Sequence, residues 1–152
     1  MNICVFCSSS NHVDRCYIAA AQETGRAIAE RGHTLIFGGY DMGLMGEIAK
    51  ATVSAGGKVI GVTTSGLSAK GRSVVPGIQE LQTENLSKRK ETMVSLSDAF
   101  ITMPGGIGTL DEFFSVISQA KVGEIHGKSA LLNVDGYFDP LVQMLDDSCE
   151  KG

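Results

Sequence analysis

The chain has 152 residues, a length that fits one domain with a substantial hydrophobic core. The formal net charge is −4 and the longest basic cluster is the three residues 88–90, so we expect neither a nucleic acid nor a membrane surface as a partner. No apolar run approaches the ~20 residues that cross a bilayer. The N-terminus lacks a basic region and a cleavage site, so we expect a cytoplasmic protein without a signal peptide.

Two of the four cysteines, Cys4 and Cys7, form a C-x-x-C pair in the first apolar run. Side chains three positions apart on a strand point to opposite faces, and no second pair or nearby histidine completes a metal site. We therefore expect buried, reduced thiols here, and neither a metal site nor a redox site.

Short apolar runs alternate with amphipathic helical patterns along the chain. The predicted strands are 3–7, 34–37, 58–62, 78–82, 99–103 and 130–134. The predicted helices are 13–31, 44–55, 86–96, 109–121 and 140–148. The stretch 63–77 is rich in glycine and serine without a clear period, and we expect a mobile loop there.

The alternation of strands and helices predicts the fold class. A β-α-β-α order with right-handed crossovers gives an α/β protein with a parallel sheet and helices on both faces, here as a single domain over 1–152. Such sheets bind ligands at the carboxyl ends of their strands. The chain stops directly after the last predicted helix, so we expect the natural protein to continue past Gly152.

The strongest local motif is the loop 104–109, where a buried strand ends, three glycines follow and a helix begins. Gly105, Gly106 and Gly108 let the backbone approach a ligand, and the free N–H groups of the helix start favour a phosphate. The Thr109 hydroxyl adds a further donor. The motif is neither a Walker loop nor a dinucleotide fingerprint. The alternative is a plain tight turn between strand and helix.

Two other loops share this placement after a strand. The glycine-rich segment 38–46 predicts a second wall of the same pocket, or glycines that only turn the chain. The serines 8–10 follow the first strand, and their hydroxyls predict either a contribution to the site or a cap of the next helix.

Two ionisable residues near the glycine loop have alternative interpretations. The segment Thr109-x-x-Glu112 fits a helix capping box, yet the same spacing puts a carboxylate within a helical turn of the proposed phosphate site. Arg89 belongs to a basic cluster that is typical of a solvated helix face, but a guanidinium could also clamp an anionic ligand.

Arg89-Lys90, followed by the motif P-G-G-x-G-T-x-x-E at 104–112, resembles the LONELY GUY family. Members of that family are cytokinin riboside 5′-monophosphate phosphoribohydrolases, formerly described as possible lysine decarboxylases. Further segments that are similar to family landmarks are 4–10, 43–46, 97–100 and 132–137.

The resemblance implies a Rossmann-like fold, a homodimer, and hydrolysis of the N-glycosidic bond of cytokinin-type or purine nucleoside 5′-monophosphates such as AMP. The products are free base and ribose 5-phosphate, and no metal or other cofactor is required. It implies Arg89 and Glu112 as the catalytic pair, and a phosphate site at Gly105, Gly106, Gly108 and Thr109. The nucleotide-binding residues that it implies are Ser9, Gly39, Gly43, Met45 and Lys90.

The chain departs from the family pattern at two places. Tyr40 stands where a third glycine is usual, and Leu86-Ser87-Lys88 replaces the usual Met-His-x before Arg89. Base preference therefore stays open between cytokinin nucleotides and other monophosphates. An alternative function on the same fold is a non-catalytic carrier of a nucleotide or of the molybdenum cofactor. A decarboxylase would need a lysine to hold pyridoxal phosphate, and no lysine stands in an obvious cofactor pocket.

Overall fold

The computed structural model describes all residues from Met1 to Gly152 and contains one parallel sheet of six strands. The order across the sheet is β4-β3-β2-β1-β5-β6. The strands are β1 (Asn2–Phe6), β2 (Thr34–Phe37), β3 (Lys58–Thr64), β4 (Gln79–Thr83), β5 (Ala99–Thr102) and β6 (Lys128–Leu131). The predicted α/β class with a parallel, Rossmann-like sheet is confirmed.

Six helices connect and flank the strands. They are α1 (Arg15–Glu30), α2 (Gly43–Ser54), α3 (Ser65–Ser68), α4 (Leu86–Ser95), α5 (Ile107–Lys121) and α6 (Asp139–Lys151). None of them combines the length and the apolar composition that crossing a bilayer requires.

The core consists of two apolar layers, one on each face of the sheet. Alternate residues of β1 enter different layers: Val5 packs with α1 and α2, whereas Cys4 and Phe6 pack with α4 and α5. This period of two, with both faces covered, explains why the strands are continuous apolar runs. Cys4 and Cys7 lie in opposite layers as unpaired thiols, as predicted, and burial raises the pKa of both.

The chain reverses its direction of travel across the sheet between β1 and β5. Strands β2 to β4 are added on one side of β1, and β5 and β6 on the other. At this point the loops after β1 and β5 meet, because the Ser8 N–H donates to the Pro104 carbonyl over 3.1 Å. Crevices at such reversals are the usual ligand sites of open parallel sheets.

The predicted loop 63–77 is wrong in part. Strand β3 continues to Thr64 and helix α3 follows it, so the irregular segment begins only at Ala69. Tyr40 forms an isolated antiparallel bridge with Val74, and the Asp41 N–H donates to the Ser73 carbonyl over 2.9 Å. These bonds fasten the segment to the loop after β2.

The last strand also differs from its prediction at 130–134. The apolar run there spans only the end of β6, which pairs with β5 from Lys128 to Leu131. Leu132 and Asn133 lie outside the strand, and Val134 begins a 3₁₀ turn at Val134–Gly136. As β6 is an edge strand, its first three residues are exposed, and apolar patterning could not locate its start.

Helices α1 and α2 pack closely at Gly25, which lies in the middle of α1. A methyl group at this position would overlap the Ile48 carbonyl oxygen and would stand 3.0 Å from Thr52 Oγ1. The Thr52 hydroxyl also donates to the Gly25 carbonyl over 3.1 Å. Glycine is therefore required by contact between the helices and not by its backbone angles.

We expect Gly25→Ala to lower the free energy of unfolding by about 1–3 kcal/mol, although alanine is the better helix former, because the added methyl overpacks the helix interface. Gly66→Ala is the matched control, since a methyl there meets no atom within 4 Å. It should change the stability by less than about 0.5 kcal/mol. Denaturant unfolding of both variants measures the two effects, and equal stabilities would contradict the packing argument.

Candidate active site

A cavity of about 420 Å³ opens at the carboxyl edge of the sheet, where the loops after β1 and β5 meet. One wall is the first turn of α5, from Gly106 to Thr109, and another is the serine loop 8–10. The floor carries Arg89 and Glu112. The remaining lining side chains are Cys7, Met45, Leu67, Arg72 and Leu86.

The start of α5 presents unpaired backbone donors to this cavity. The helix begins at Ile107, Gly106 caps it without a side-chain hydrogen bond, and the first intrahelical bond runs from the Leu110 N–H to the Gly106 carbonyl. The N–H groups of residues 107–109 therefore have no partner within the helix. Together with the positive end of the helix dipole they form a site suited to an anion.

The three glycines of this loop differ in whether contacts within the chain exclude a side chain. At Gly105 a Cβ would stand 2.7 Å from Thr109 Cβ and 3.0 Å from Ser8 N, so packing within the chain requires glycine. At Gly106 and Gly108 a Cβ would meet nothing within 4 Å, and neither has a positive φ. Nothing within the chain demands glycine at these two positions, whereas a ligand close to the backbone would.

The capping box predicted for Thr109 and Glu112 is wrong. Because α5 begins two residues before Thr109, the threonine is the third helical residue and Glu112 is the sixth. Neither side chain can reach the unpaired groups that a capping box would satisfy. The serines 8–10 do not cap α1 either, since Asp14 holds that position without a side-chain bond.

Arg89 is fixed by backbone carbonyls at the ends of two strands. Its Nε donates to the Val62 carbonyl over 2.8 Å and its Nη2 to the Gly38 carbonyl over 3.0 Å. Its Nη1 lies 3.5 Å from Glu112 Oε1, and the two side chains are only 12% and 15% exposed. The interpretation of Arg89 as part of a solvated helix face is therefore wrong.

The environment of Glu112 brings its ionisation close to neutral pH. Burial raises the pKa of Glu112 to about 7, against the opposing effect of the Arg89 guanidinium. Asp111 adds to the rise and Lys90 acts against it. A carboxyl group with such a pKa changes its charge at the pH where acid–base chemistry is most effective.

The other predicted nucleotide-binding residues divide into two groups. Ser9 and Met45 line the cavity beside Arg89 and Glu112. Gly39 and Gly43 do not; both have positive φ, at 82° and 50°. These two glycines shape the turn between β2 and α2, and a side chain at Gly43 would collide with the Ser8 and Ser10 carbonyls. Gly43 therefore packs against the serine loop, whereas a side chain at Gly39 would collide with Thr63 of β3.

Lys90 also lies outside the cavity wall. Its ammonium donates to Asp111 Oδ2 and to Ser115 Oγ, each over 2.8 Å, on the outer side of α5. These bonds tie α4 to α5 next to the Arg89–Glu112 pair, so the structure gives Lys90 a contact between helices.

Arg72 and Tyr137 contribute to the site but were not among the predicted site residues. Arg72 lines the cavity from the segment expected to be a mobile loop. The Tyr137 hydroxyl donates to the Gly105 carbonyl over 2.6 Å and supports the glycine loop from outside. Of these two, only Tyr137 had a sequence indication, because it belongs to a segment that is similar to a family landmark.

A second cavity of about 420 Å³ lies between α1 and the sheet. It is lined mostly by apolar side chains such as Ile3, Ile28 and Leu132. It contains no glycine loop and no start of an α-helix, and the loops that follow β1 and β5 do not line it. The cavity beside α5 is therefore the candidate site.

Fold and site together define an α/β protein with an anion-binding helix start beside a buried arginine–glutamate pair. The profile of the family described as possible lysine decarboxylase matches residues 45–152. The chain is 40% identical to the probable cytokinin riboside 5′-monophosphate phosphoribohydrolase LOG6 of Arabidopsis thaliana, over 99% of this chain and 75% of that one. The chain belongs to this family, the LONELY GUY family.

Another relative is the probable cytokinin riboside 5′-monophosphate phosphoribohydrolase LOGL9 of Oryza sativa subsp. japonica, which is 42% identical. The match covers 99% of this chain and 66% of that protein, so the chain spans about two thirds of its length. Among solved structures, a molybdenum cofactor carrier protein from Chlamydomonas reinhardtii has the same fold, with a TM-score of 0.76 and 24% identity. That likeness covers 96% of this chain and 84% of the carrier protein.

The raised pKa of Glu112 predicts a pH dependence of stability. The folded state holds the proton more tightly than the unfolded state, whose carboxyl has its ordinary value near 4.5. The stabilisation is therefore complete below that value and is lost as the pH rises through about 7. From pH 5 to pH 8 the wild type should lose roughly 2–3 kcal/mol relative to Glu112→Gln, which does not titrate. Denaturant unfolding at both pH values measures this, and parallel stability curves would contradict it.

Proposed function

We propose that the protein hydrolyses the N-glycosidic bond of nucleoside 5′-monophosphates and releases free base and ribose 5-phosphate. The observation that carries this proposal is the buried pair of Arg89 and Glu112 directly beside the free N–H groups of α5. The activity named for the relatives is of the same kind.

The helix α5 carries both the phosphate site and the carboxylate, which fixes the distance between them. Glu112 lies four residues beyond Gly108, a rise of about 6 Å along the helix axis. A nucleotide whose 5′-phosphate is bound by the first turn of α5 therefore has its sugar within reach of Glu112. Binding of the phosphate, remote from the bond that breaks, supplies energy for positioning the sugar.

The reaction breaks the bond between C1′ of the ribose and a nitrogen of the base. The bonding electrons leave with the base, positive charge develops on the ribose, and a water oxygen adds to C1′. One proton of that water ends on the base and the other stays on the new C1′ hydroxyl of ribose 5-phosphate. Glu112 either stabilises the positive ribose through its hydroxyls or accepts the proton from water, and both roles require an ionised carboxylate.

Arg89 holds this carboxylate in position and keeps it ionised. Its guanidinium donates hydrogen bonds to the Gly38 and Val62 carbonyls, so its position beside Glu112 is fixed. A neighbouring cation also opposes the rise in pKa that burial causes. Loss of Arg89 is therefore expected to reduce the ionised fraction of Glu112 at neutral pH.

Two other activities are less well supported. The cavity wall has no lysine to form a Schiff base, so nothing there favours decarboxylation with pyridoxal phosphate. A carrier of a nucleotide or of the molybdenum cofactor would need the phosphate site but neither Arg89 nor Glu112. Tight binding of nucleotides without any release of base would favour the carrier function.

The assembly, the compartment and the cofactor requirement are also proposals. Ile107 and Phe114 are exposed, large and apolar, and they lie seven residues apart on one face of α5, which supports a homodimer. All four cysteines are unpaired, which is typical of a reducing compartment and supports the cytoplasm. The proposed hydrolysis needs no metal and no organic cofactor.

Release of base should depend on Glu112 and not on its neighbour Asp111. We expect Glu112→Gln to lower kcat/KM by at least about 100-fold, because the ionised carboxylate acts in the transition state. Asp111→Asn is the matched control on the same helix; its carboxylate faces Lys90, is 62% exposed, and should matter less than about threefold. Chromatography of base and ribose 5-phosphate across several nucleoside monophosphates measures the reaction. No release by the wild type from any of them would end the proposal.

The pH dependence of the rate reports the protonation state that Glu112 needs. With an ionised carboxylate required, kcat/KM should rise about tenfold per pH unit below 7 and become constant above it. Rates measured from pH 5 to pH 9 on the wild type give this profile. A rate that falls above pH 7 would instead show that protonated Glu112 is the active form.

A further inference from the structure

Arg72 is a cation in the cavity that the proposed hydrolysis does not use. It lines the same cavity as Arg89 and Glu112 and is partly exposed. Each of the three nitrogens of the Arg89 guanidinium has a partner, two carbonyls and a carboxylate, whereas Arg72 forms no ion pair with any of the acidic side chains. Its guanidinium donors are therefore available to a ligand.

Tyr40 fixes where this guanidinium stands. The Arg72 Cζ lies 5.7 Å from the centre of the Tyr40 ring, within the range of a cation–π contact. Tyr40 is completely buried; its hydroxyl donates to the Thr64 carbonyl over 3.0 Å and accepts from the Thr64 N–H over 2.9 Å. The bridge between Tyr40 and Val74 holds the backbone two residues beyond Arg72. The buried Tyr40 ring and the backbone bridge therefore fix the position of the Arg72 guanidinium.

The strand order places Arg72 far from the phosphate end of the cavity. The phosphate site follows β5, whereas Tyr40 follows β2 and Thr64 ends β3, with β1 lying between. At about 4.8 Å per strand, two to three spacings amount to about 10–14 Å. In a nucleoside monophosphate whose phosphate is bound at α5 and whose sugar lies beside Glu112, the base therefore lies at the end of the cavity near Arg72.

The chemistry of a guanidinium selects among bases. It has five donors and no acceptor, in a forked arrangement that fits two adjacent acceptors. A 6-oxopurine presents such a pair, O6 and N7, whereas adenine presents an amino donor beside N7. An alkyl group on that amine would place apolar atoms against a cation and leave it desolvated and unpaired.

We propose that Arg72 determines base specificity and that this protein prefers 6-oxopurine nucleoside 5′-monophosphates, such as GMP and IMP, to adenine and N6-alkyladenine nucleotides. This inference rests on the proposed function of the same site. When the C1′–N9 bond breaks, the electron pair moves into the purine, and donors at O6 and N7 stabilise that charge. Arg72 thereby binds the base more strongly in the transition state than in the bound substrate.

The test compares kcat/KM for GMP, IMP, AMP and isopentenyladenosine 5′-monophosphate in the wild type and in Arg72→Ala. We expect the wild type to favour the two 6-oxopurines at least tenfold. Arg72→Ala should lose about 10- to 100-fold on these two and less than about threefold on the two adenine nucleotides, because only the former bond to the guanidinium. The kcat/KM values of Arg72→Lys for GMP and IMP should lie between those of the wild type and Arg72→Ala, because lysine keeps the charge but not the forked arrangement of donors.

Lys70→Ala is the matched control for charge alone, since Lys70 is an exposed cation of the same segment that does not line the cavity. It should leave all four kcat/KM values within about twofold. A wild type without preference for GMP and IMP, or an Arg72→Ala variant that loses equally on all four substrates, would overturn the inference.

Equilibrium binding separates this inference from the proposed reaction. Calorimetry of GMP and AMP with the wild type and with Arg72→Ala requires no turnover. If the wild type releases no base, the hydrolase proposal fails, while a preference for GMP that Arg72→Ala abolishes still supports the role of Arg72. Equal affinities for GMP and AMP in the wild type would overturn that role as well.

Discussion

The arrangement of the site depends on the anchoring of one guanidinium. Arg89 reaches from α4 across the ends of β3 and β2 and pairs with Glu112 of α5. Burying an arginine and a glutamate is unfavourable unless each finds partners, and the two strand-end carbonyls supply them for the arginine. The Glu112 carboxylate has only one partner, at 3.5 Å, so burial keeps its pKa at about 7. The carboxylate also remains accessible from the cavity.

The rest of the fold serves to bring these groups together. The reversal of the sheet between β1 and β5 puts the serine loop against the start of α5, and the turn after β2 packs against the same serine loop at Gly43. The first turn of α5 and Glu112 belong to one rigid helix, so the distance between anion site and carboxylate does not depend on loop motion. Glu112 lowers the stability of the folded protein when it is ionised, because burial opposes the ionised form that the proposed reaction uses.

Much of this could be predicted from the sequence, because the information is local. The strands buried on both faces are continuous apolar runs, and the glycine loop stands between a strand and a helix. The start of α5 at Ile107 and the start of β6 at Lys128 could not be predicted, since no capping side chain and no apolar residue marks them. The position of Arg72 could not be predicted either, because it results from a bridge between Tyr40 and Val74. Such a contact between two loops leaves no periodic pattern in a single sequence.

A crystal structure of the Glu112→Gln variant with a bound nucleoside 5′-monophosphate tests the central claim most directly. The account predicts phosphate oxygens about 3 Å from the backbone nitrogens of Gly108 and Thr109. It also predicts that the ribose lies against residue 112 and that the base points towards Arg72. A phosphate bound away from the start of α5, or a ribose out of reach of residue 112, would contradict it.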